Sequence, residues 1–245
     1  MTARATYTTT ADSTSKSTQR LGFGAAILTA AAAAAALGIA VTTAPARSGP
    51  FCLVQPCVIY PYTDVAAFVP NDYLWMIPAF LMGPLFVILV ACIHQQAAAD
   101  KKLFSQIALS FAVISATALA ANYYIQLTVI QSSLLKAETE GLSLFSQYNP
   151  HGVFIALEDI GYLMMGIAFL FAAAVFDGRT GLDRAIRYIL LVASLLAIGS
   201  LLALLLIYGH NLEYRYEVAA LLIDWLTLII LGVPLSRYFT RRRSV

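Results

Sequence analysis

The chain has 245 residues, of which 60% are hydrophobic and 11% charged, with a mean hydropathy of +0.78. A soluble domain carries about 25% charged residues, so this composition argues against a water-soluble globular fold. The formal net charge of +2 gives no reason to expect nucleic acid as a partner. The Lys and Arg residues lie beside apolar runs, a pattern that orients a chain in a membrane.

Residues 1–20 are rich in Thr and Ser, with Arg4, Lys16 and Arg20 among them. A segment this polar buries no core and is expected to be a disordered cytoplasmic tail. Residues 21–44 form an Ala-rich apolar run ending at Ala44, Pro45 and Ala46, small residues of the kind found at signal-peptide cleavage sites. The apolar core of a signal is about 7 to 15 residues. This run is longer, so a retained first helix is expected. Its small residues, Ala30, Ala34 and Gly38, suit close helix packing.

Five further apolar runs follow, at 73–93, 103–130, 153–176, 188–208 and 218–235. Each is close to the ~20 residues a helix needs to cross a bilayer, and none alternates like a barrel strand. The expected fold is therefore all-α: an integral membrane bundle of six transmembrane helices over 21–236, followed by a basic cytoplasmic tail, 237–245. Pro78 and Pro84 are expected to kink the second helix. Eight aromatic residues, Tyr60, Tyr62, Tyr73, Trp75, Tyr148, Tyr208, Tyr214 and Tyr216, fall near the outer boundary, as in an aromatic belt.

The connections set the orientation. With the N-terminus inside, the cytoplasmic segments hold 12 of the 15 basic residues, and only Arg47, Lys136 and Arg215 lie outside. This bias predicts both termini in the cytoplasm, in a bacterial inner membrane. Cys52 and Cys57 share the first outer loop, where they either form a disulfide or remain free thiols. Cys92, inside an apolar run, reads as a packed thiol. The loop itself, 45–72, reads as an interfacial connection or as a lid. Arg241, Arg242 and Arg243 suit anionic headgroups.

Ionisable groups inside a spanning helix cost about 2.5 to 3.5 kcal/mol each at the helix centre, so those that persist invite a functional reading. Glu158 and Asp159 lie in the fourth run and Asp224 in the sixth. Counted from the outer ends of these runs, all three are roughly 7 to 9 Å deep. Asn122 and Gln126 share a face of the third helix, and Tyr162 shares the face of Glu158. Together they predict a polar pocket in the outer half of the bundle, with His151 and His210 at its mouth. Asn149 and Pro150 suit the N-cap and first turn of the fourth helix. Helix-to-helix hydrogen bonding, worth about 0.6 to 2 kcal/mol per group, is the structural alternative. A zinc site would draw on His151, Glu158, Asp159, His210 and Asp224, but these lack ligand spacing, and no metal is expected. No nucleotide-binding or Ser-nucleophile motif is present, so the sequence assigns no cofactor and leaves open whether the site is catalytic.

The segments 64–78 and 147–165 resemble multispanning bacterial inner-membrane proteins with no assigned activity. The likeness extends over much of 52–176 and implies no catalytic residues. Three functions compete. The first is binding or processing of a lipid or small apolar molecule at the acidic pocket, motivated by acids at outer-leaflet depth. The second is proton-coupled or small-solute transport, for which the inner half offers only Cys92 and His94. The third is a non-catalytic subunit or assembly factor, with a protein partner or a second copy of the chain.

Overall fold

The computed structural model describes residues 3–43, 45, 47–52 and 57–241, without the side chains of residues 3–15. Six helices are long and apolar enough to cross a membrane. They are α1 (Ala3–Thr42), α2 (Met76–Gln96), α3 (Lys102–Ile125), α4 (Val153–Ala173), α5 (Gly181–Tyr208) and α6 (Tyr214–Arg241). No strand occurs among the described residues. The helix α3 runs on through a π-helical turn, Gln126–Ile130, into a last α-turn, Gln131–Leu135. The helices form a ring in chain order, each packed on the next and α6 closing onto α1, while α4 touches α6 across the middle. An even number of crossings leaves both chain ends at one end of the bundle, the terminal end. The opposite, loop end carries residues 45–72.

The helix ends differ from the hydropathy runs in ways that matter. Residues 3–20, expected to be disordered, instead continue α1. The packed apolar stretch supplies the helical nucleus, and extending an existing helix costs little. The helix α5 begins at Gly181 rather than 188 because Thr180 caps it, its Oγ1 accepting from Asp183 N at 3.1 Å. The helix α6 begins at Tyr214 rather than 218 and runs to Arg241. Ala44, Ala46, Arg242 and Arg243 lie outside the described residues. Gly152, not Asn149, is the N-cap of α4. Asn149 Oδ1 instead accepts from His151 N at 3.0 Å, forming a turn before the helix. A Cβ on Gly152 would stand 2.9 Å from Leu144 O, so a side chain does not fit there.

Small residues set the helix spacing. A Cβ on Gly232 of α6 would lie 2.5 Å from Ala30 Cβ of α1, and one on Gly166 of α4 would lie 2.9 Å from Ala197 Cβ of α5. Without a hydrophobic force between helices in lipid, such close approach is the main source of packing energy.

Candidate functional site

The loop end is held together by polar contacts. The described residues of the 45–72 loop fold across it, and Cys52 and Cys57 are joined in a disulfide with Cα atoms 5.7 Å apart. Ser48 Oγ donates to Tyr148 O at 2.7 Å and lies 2.5 Å from Tyr214 Oη. Tyr148 Oη donates to Asp72 Oδ2 at 2.8 Å. Burial, then Tyr73 and Asp72, push the Tyr148 phenol far above its ordinary value, so it stays a donor throughout the neutral range. Of the eight aromatics expected in a belt, Tyr62, Tyr73, Trp75, Tyr148, Tyr214 and Tyr216 are buried, and only Tyr60 and Tyr208 are exposed. These rings lock the loop and the core together rather than lining the headgroup region.

Beneath this cover lies a directed hydrogen-bond chain. Trp225 Nε1 donates to Tyr162 Oη at 3.0 Å. The Tyr162 and Tyr123 hydroxyls are 2.6 Å apart, and Tyr123 Oη donates to Glu158 Oε1 at 2.7 Å. Because the Tyr123 proton is directed at Glu158, the Tyr162 proton points at Tyr123. The chain crosses α6, α4 and α3 and ends on one carboxyl. Trp225, Tyr162, Tyr123 and Glu158 are all fully buried. Trp75, the residue that caps α2, packs edge-on against Tyr123 at 5.5 Å and tilted against Trp225 at 5.9 Å. Its Nε1 is buried with no hydrogen-bond partner.

Glu217 on α6 lies within electrostatic reach of Glu158, whose second carboxyl oxygen, Oε2, is buried with no hydrogen-bond partner. Asp159 lies within electrostatic reach of both. It is half-buried, and its Oδ1 has no hydrogen-bond partner.

The other residues expected at the site divide into three groups. Asn122 and Gln126 are buried and tie the backbone. Asn122 Nδ2 donates to Phe154 O at 3.0 Å and Gln126 Nε2 to Phe145 O at 2.6 Å. His151 and His210 are exposed, and the nearest acid to His151 is Glu213 at 3.9 Å. Neither histidine reaches the buried acids by any contact among the described residues. No group of three or more His, Cys, Asp or Glu among the described residues is placed to hold a metal ion.

Asp224 stands apart from Glu158, Asp159 and Glu217. It is fully buried, with no hydrogen-bond partner for either oxygen. No hydrogen bond or charge interaction links it to another carboxyl among the described residues. The reason is depth. Because α6 starts at Tyr214, Asp224 is ten residues in, about 15 Å, whereas Glu217 is three residues in, about 4.5 Å. Asp224 is therefore near the bilayer midplane, not level with Glu158 as a helix starting at 218 implies. Tyr216, whose buried hydroxyl has no hydrogen-bond partner, feels both Asp159 and Asp224.

Reading the sequence alone misses Glu217, Tyr123, Trp75 and Trp225. The spacing of Glu217 and Asp224, seven residues on one helical face, is the one available signal for Glu217. Comparison with protein-family models, with curated proteins and with solved structures finds no match to this chain.

Proposed function

We propose that this multispanning membrane protein binds and releases protons at the Glu158–Glu217 pair and couples that exchange to passage of a small solute. The carrying observation is the fully buried Glu158 carboxyl at the end of the Trp225–Tyr162–Tyr123 donor chain, with a second acid, Glu217, within electrostatic reach. A packed site with no exposed surface at Glu158 suits a proton, which needs no cavity. Intramembrane acids are costly and recur in proton relays. Asp224, about 10 Å deeper than Glu217 by helical rise, gives such a relay a second step towards the terminal end. The excess of basic residues at the terminal end and the disulfide at the loop end favour a cytoplasmic placement for both termini, with the carboxyl pair in the outer half of a bacterial inner membrane.

The test is infrared difference spectroscopy of the detergent-purified protein between acidic and alkaline buffer. A protonated-carboxyl band is expected in the wild type and lost in both Glu158→Gln and Glu217→Gln. A spectrum identical in all three proteins would overturn the reading. A second reading, binding of a lipid or small apolar molecule, is favoured by one observation: Trp75 presents an unpartnered N–H within an aromatic wall beside the acids. Retention of an organic molecule by the wild type, and its loss in Trp75→Phe, would support that reading.

A further inference from the structure

The terminal end holds a second feature, separate from the acids. A cavity of about 280 Å³ opens at the rim between α1 and α6, lined by Gln19, Arg20, Phe23, Phe239 and Thr240. Arg20 immediately precedes the apolar run of α1 that begins at Leu21, and Thr240 lies five residues past the apolar run of α6 that ends at Leu235. Both are therefore at headgroup depth. The Phe239 ring lies on Gly22, where a Cβ would come within 2.5 Å of it. This contact brings the two helices together at that level, while Phe23, 46% exposed, stands outward beside the opening.

The charge around this cavity is one-sided. Residues 16–42 of α1 and 225–241 of α6 contain no Asp or Glu, yet carry Lys16, Arg20, Arg237 and Arg241, and the one acid of α1, Asp12, precedes Arg20 by eight residues. Arg20 is exposed and has neither an ion pair nor a hydrogen bond among the described residues. A guanidinium at a bilayer rim with no acid to meet it is suited to a phosphate, which it can grip with two parallel N–H bonds. The exposed Phe23 ring beside Arg20 suits the glycerol and first methylenes of a lipid, so an amphiphile fits this site better than a free anion does.

We propose that this cavity is a binding site for an anionic phospholipid of the leaflet at the terminal end. The Arg20 guanidinium holds the headgroup phosphate, and Phe23 receives the glycerol region, while Phe239, packed on Gly22, forms the floor between the helices. The site is independent of the proton-exchange reading, and either can fail alone.

The test is native mass spectrometry of the full chain, stripped of lipid in detergent and titrated with phosphatidylglycerol or with phosphatidylcholine of the same acyl chains. The expected result is retention of one phosphatidylglycerol in preference to phosphatidylcholine. Arg20→Ala should weaken this about fivefold or more, the size of one lost basic contact with an anionic surface. Arg187→Ala, an exposed cation of the same end outside the cavity, should leave retention unchanged. Arg20 is exposed, so its loss opens no core, and an unaltered gel-filtration volume checks the fold. Equal retention of the two lipids, or equal weakening by Arg187→Ala and Arg20→Ala, would show only diffuse surface attraction and overturn the site. Displacement of the lipid by inorganic phosphate would assign the cavity to a free anion and overturn it as well.

Discussion

The two ends of the bundle are built on different principles. The loop end is held by directed polar bonds: Ser48 to Tyr148, Tyr148 to Asp72, and the chain from Trp225 to Glu158. Towards the terminal end, shape takes over. Gly232 admits Ala30, Gly166 admits Ala197, Gly22 admits the Phe239 ring, and Phe176 packs edge-on against Tyr238 at 5.1 Å. Lipid tails are as apolar as leucine, so helices associate through close contact or through hydrogen bonds. This chain uses close contact where nothing but packing is required. It concentrates polar groups where, on our reading, a proton is handled. A polar core is costly to specify, since each buried donor or acceptor left unmatched costs about 1 to 3 kcal/mol. A region that keeps several such groups is one where stability alone does not explain the residues.

The sharpest way to break the comparison is to overfill the packed end. Gly232→Leu must push α1 away from α6, because the nearest atom to a new Cβ is the short, rigid Ala30 Cβ. We expect loss of the folded protein, seen as aggregation on gel filtration. Gly232→Ala should cost about 1 to 3 kcal/mol, as overpacking does. Gly24→Ala on the same pair of elements is the control, because nothing lies within 4 Å of its Cβ position. A Gly232→Leu protein as stable as the wild type would remove shape as the organising force at that end.

The next largest effect has the opposite sign. Asp224 is fully buried with two unmatched oxygens. Asp224→Leu keeps the branched outline of the side chain and removes the unmatched groups, with two methyls in place of two smaller oxygens, so thermal stability should rise by an amount equivalent to at most about 1 to 3 kcal/mol. Proton-coupled flux in proteoliposomes should fall at the same time. A destabilised Asp224→Leu protein would mean that the carboxyl has a structural partner, and Asp224 would then belong with Asn122 and Gln126 as helix glue.

Tyr123→Phe probes the centre of the polar chain. It removes the bond to Glu158 Oε1 and leaves Tyr162 without its acceptor. The expected cost is about 1 to 2 kcal/mol, read by thermal melting. The protonated-carboxyl signal should shift but survive, because Glu158 and Glu217 both remain. If Tyr123→Phe erases that signal entirely, the proton resides on the tyrosine chain rather than on the carboxyls.

The contrast between the two ends also explains what the sequence could reveal. The six crossings follow from apolar run length, a property of composition. Glu158 and Asp159 stand out because charge in a spanning run is rare. The partners of Glu158 do not. Tyr123, Trp75 and Trp225 read as ordinary apolar residues or as a belt, since only the rotation of α2, α3 and α6 about their axes turns them inward. Glu217 falls just outside the run at 218–235, although the helix starts at Tyr214. The same four-residue shift misplaces Asp224 by about 6 Å in depth. Hydropathy locates a span well and its ends poorly, and here the chemistry lies near the ends. The small-residue contacts of α1 were visible as a type, Ala and Gly in a helix, but which of them meets α6 depends on tertiary packing.

The smallest expected effect concerns the cover over the polar site. Ser48 joins the loop to the bundle through Tyr148 O and the Tyr214 hydroxyl, and Gly49, with φ of +52°, turns the chain there against Pro150 and Tyr214. Ser48→Ala removes a neutral hydrogen bond, which is worth about 1 kcal/mol net. Other ties to the loop, Tyr148 to Asp72 and the Phe51–Tyr214 ring contact at 5.9 Å, remain in place. Global melting should therefore hardly change. Amide hydrogen exchange in residues 47–52 should speed up by about fivefold, the rate equivalent of that lost bond if opening is local. Exchange in α3 and α4 near Tyr123 and Glu158 should stay at its wild-type rate. Faster exchange in those helices too would make the loop and the acid cluster one cooperative unit, with the cover gating access to Glu158. No change in either place would mean that Ser48 is not what holds the loop down.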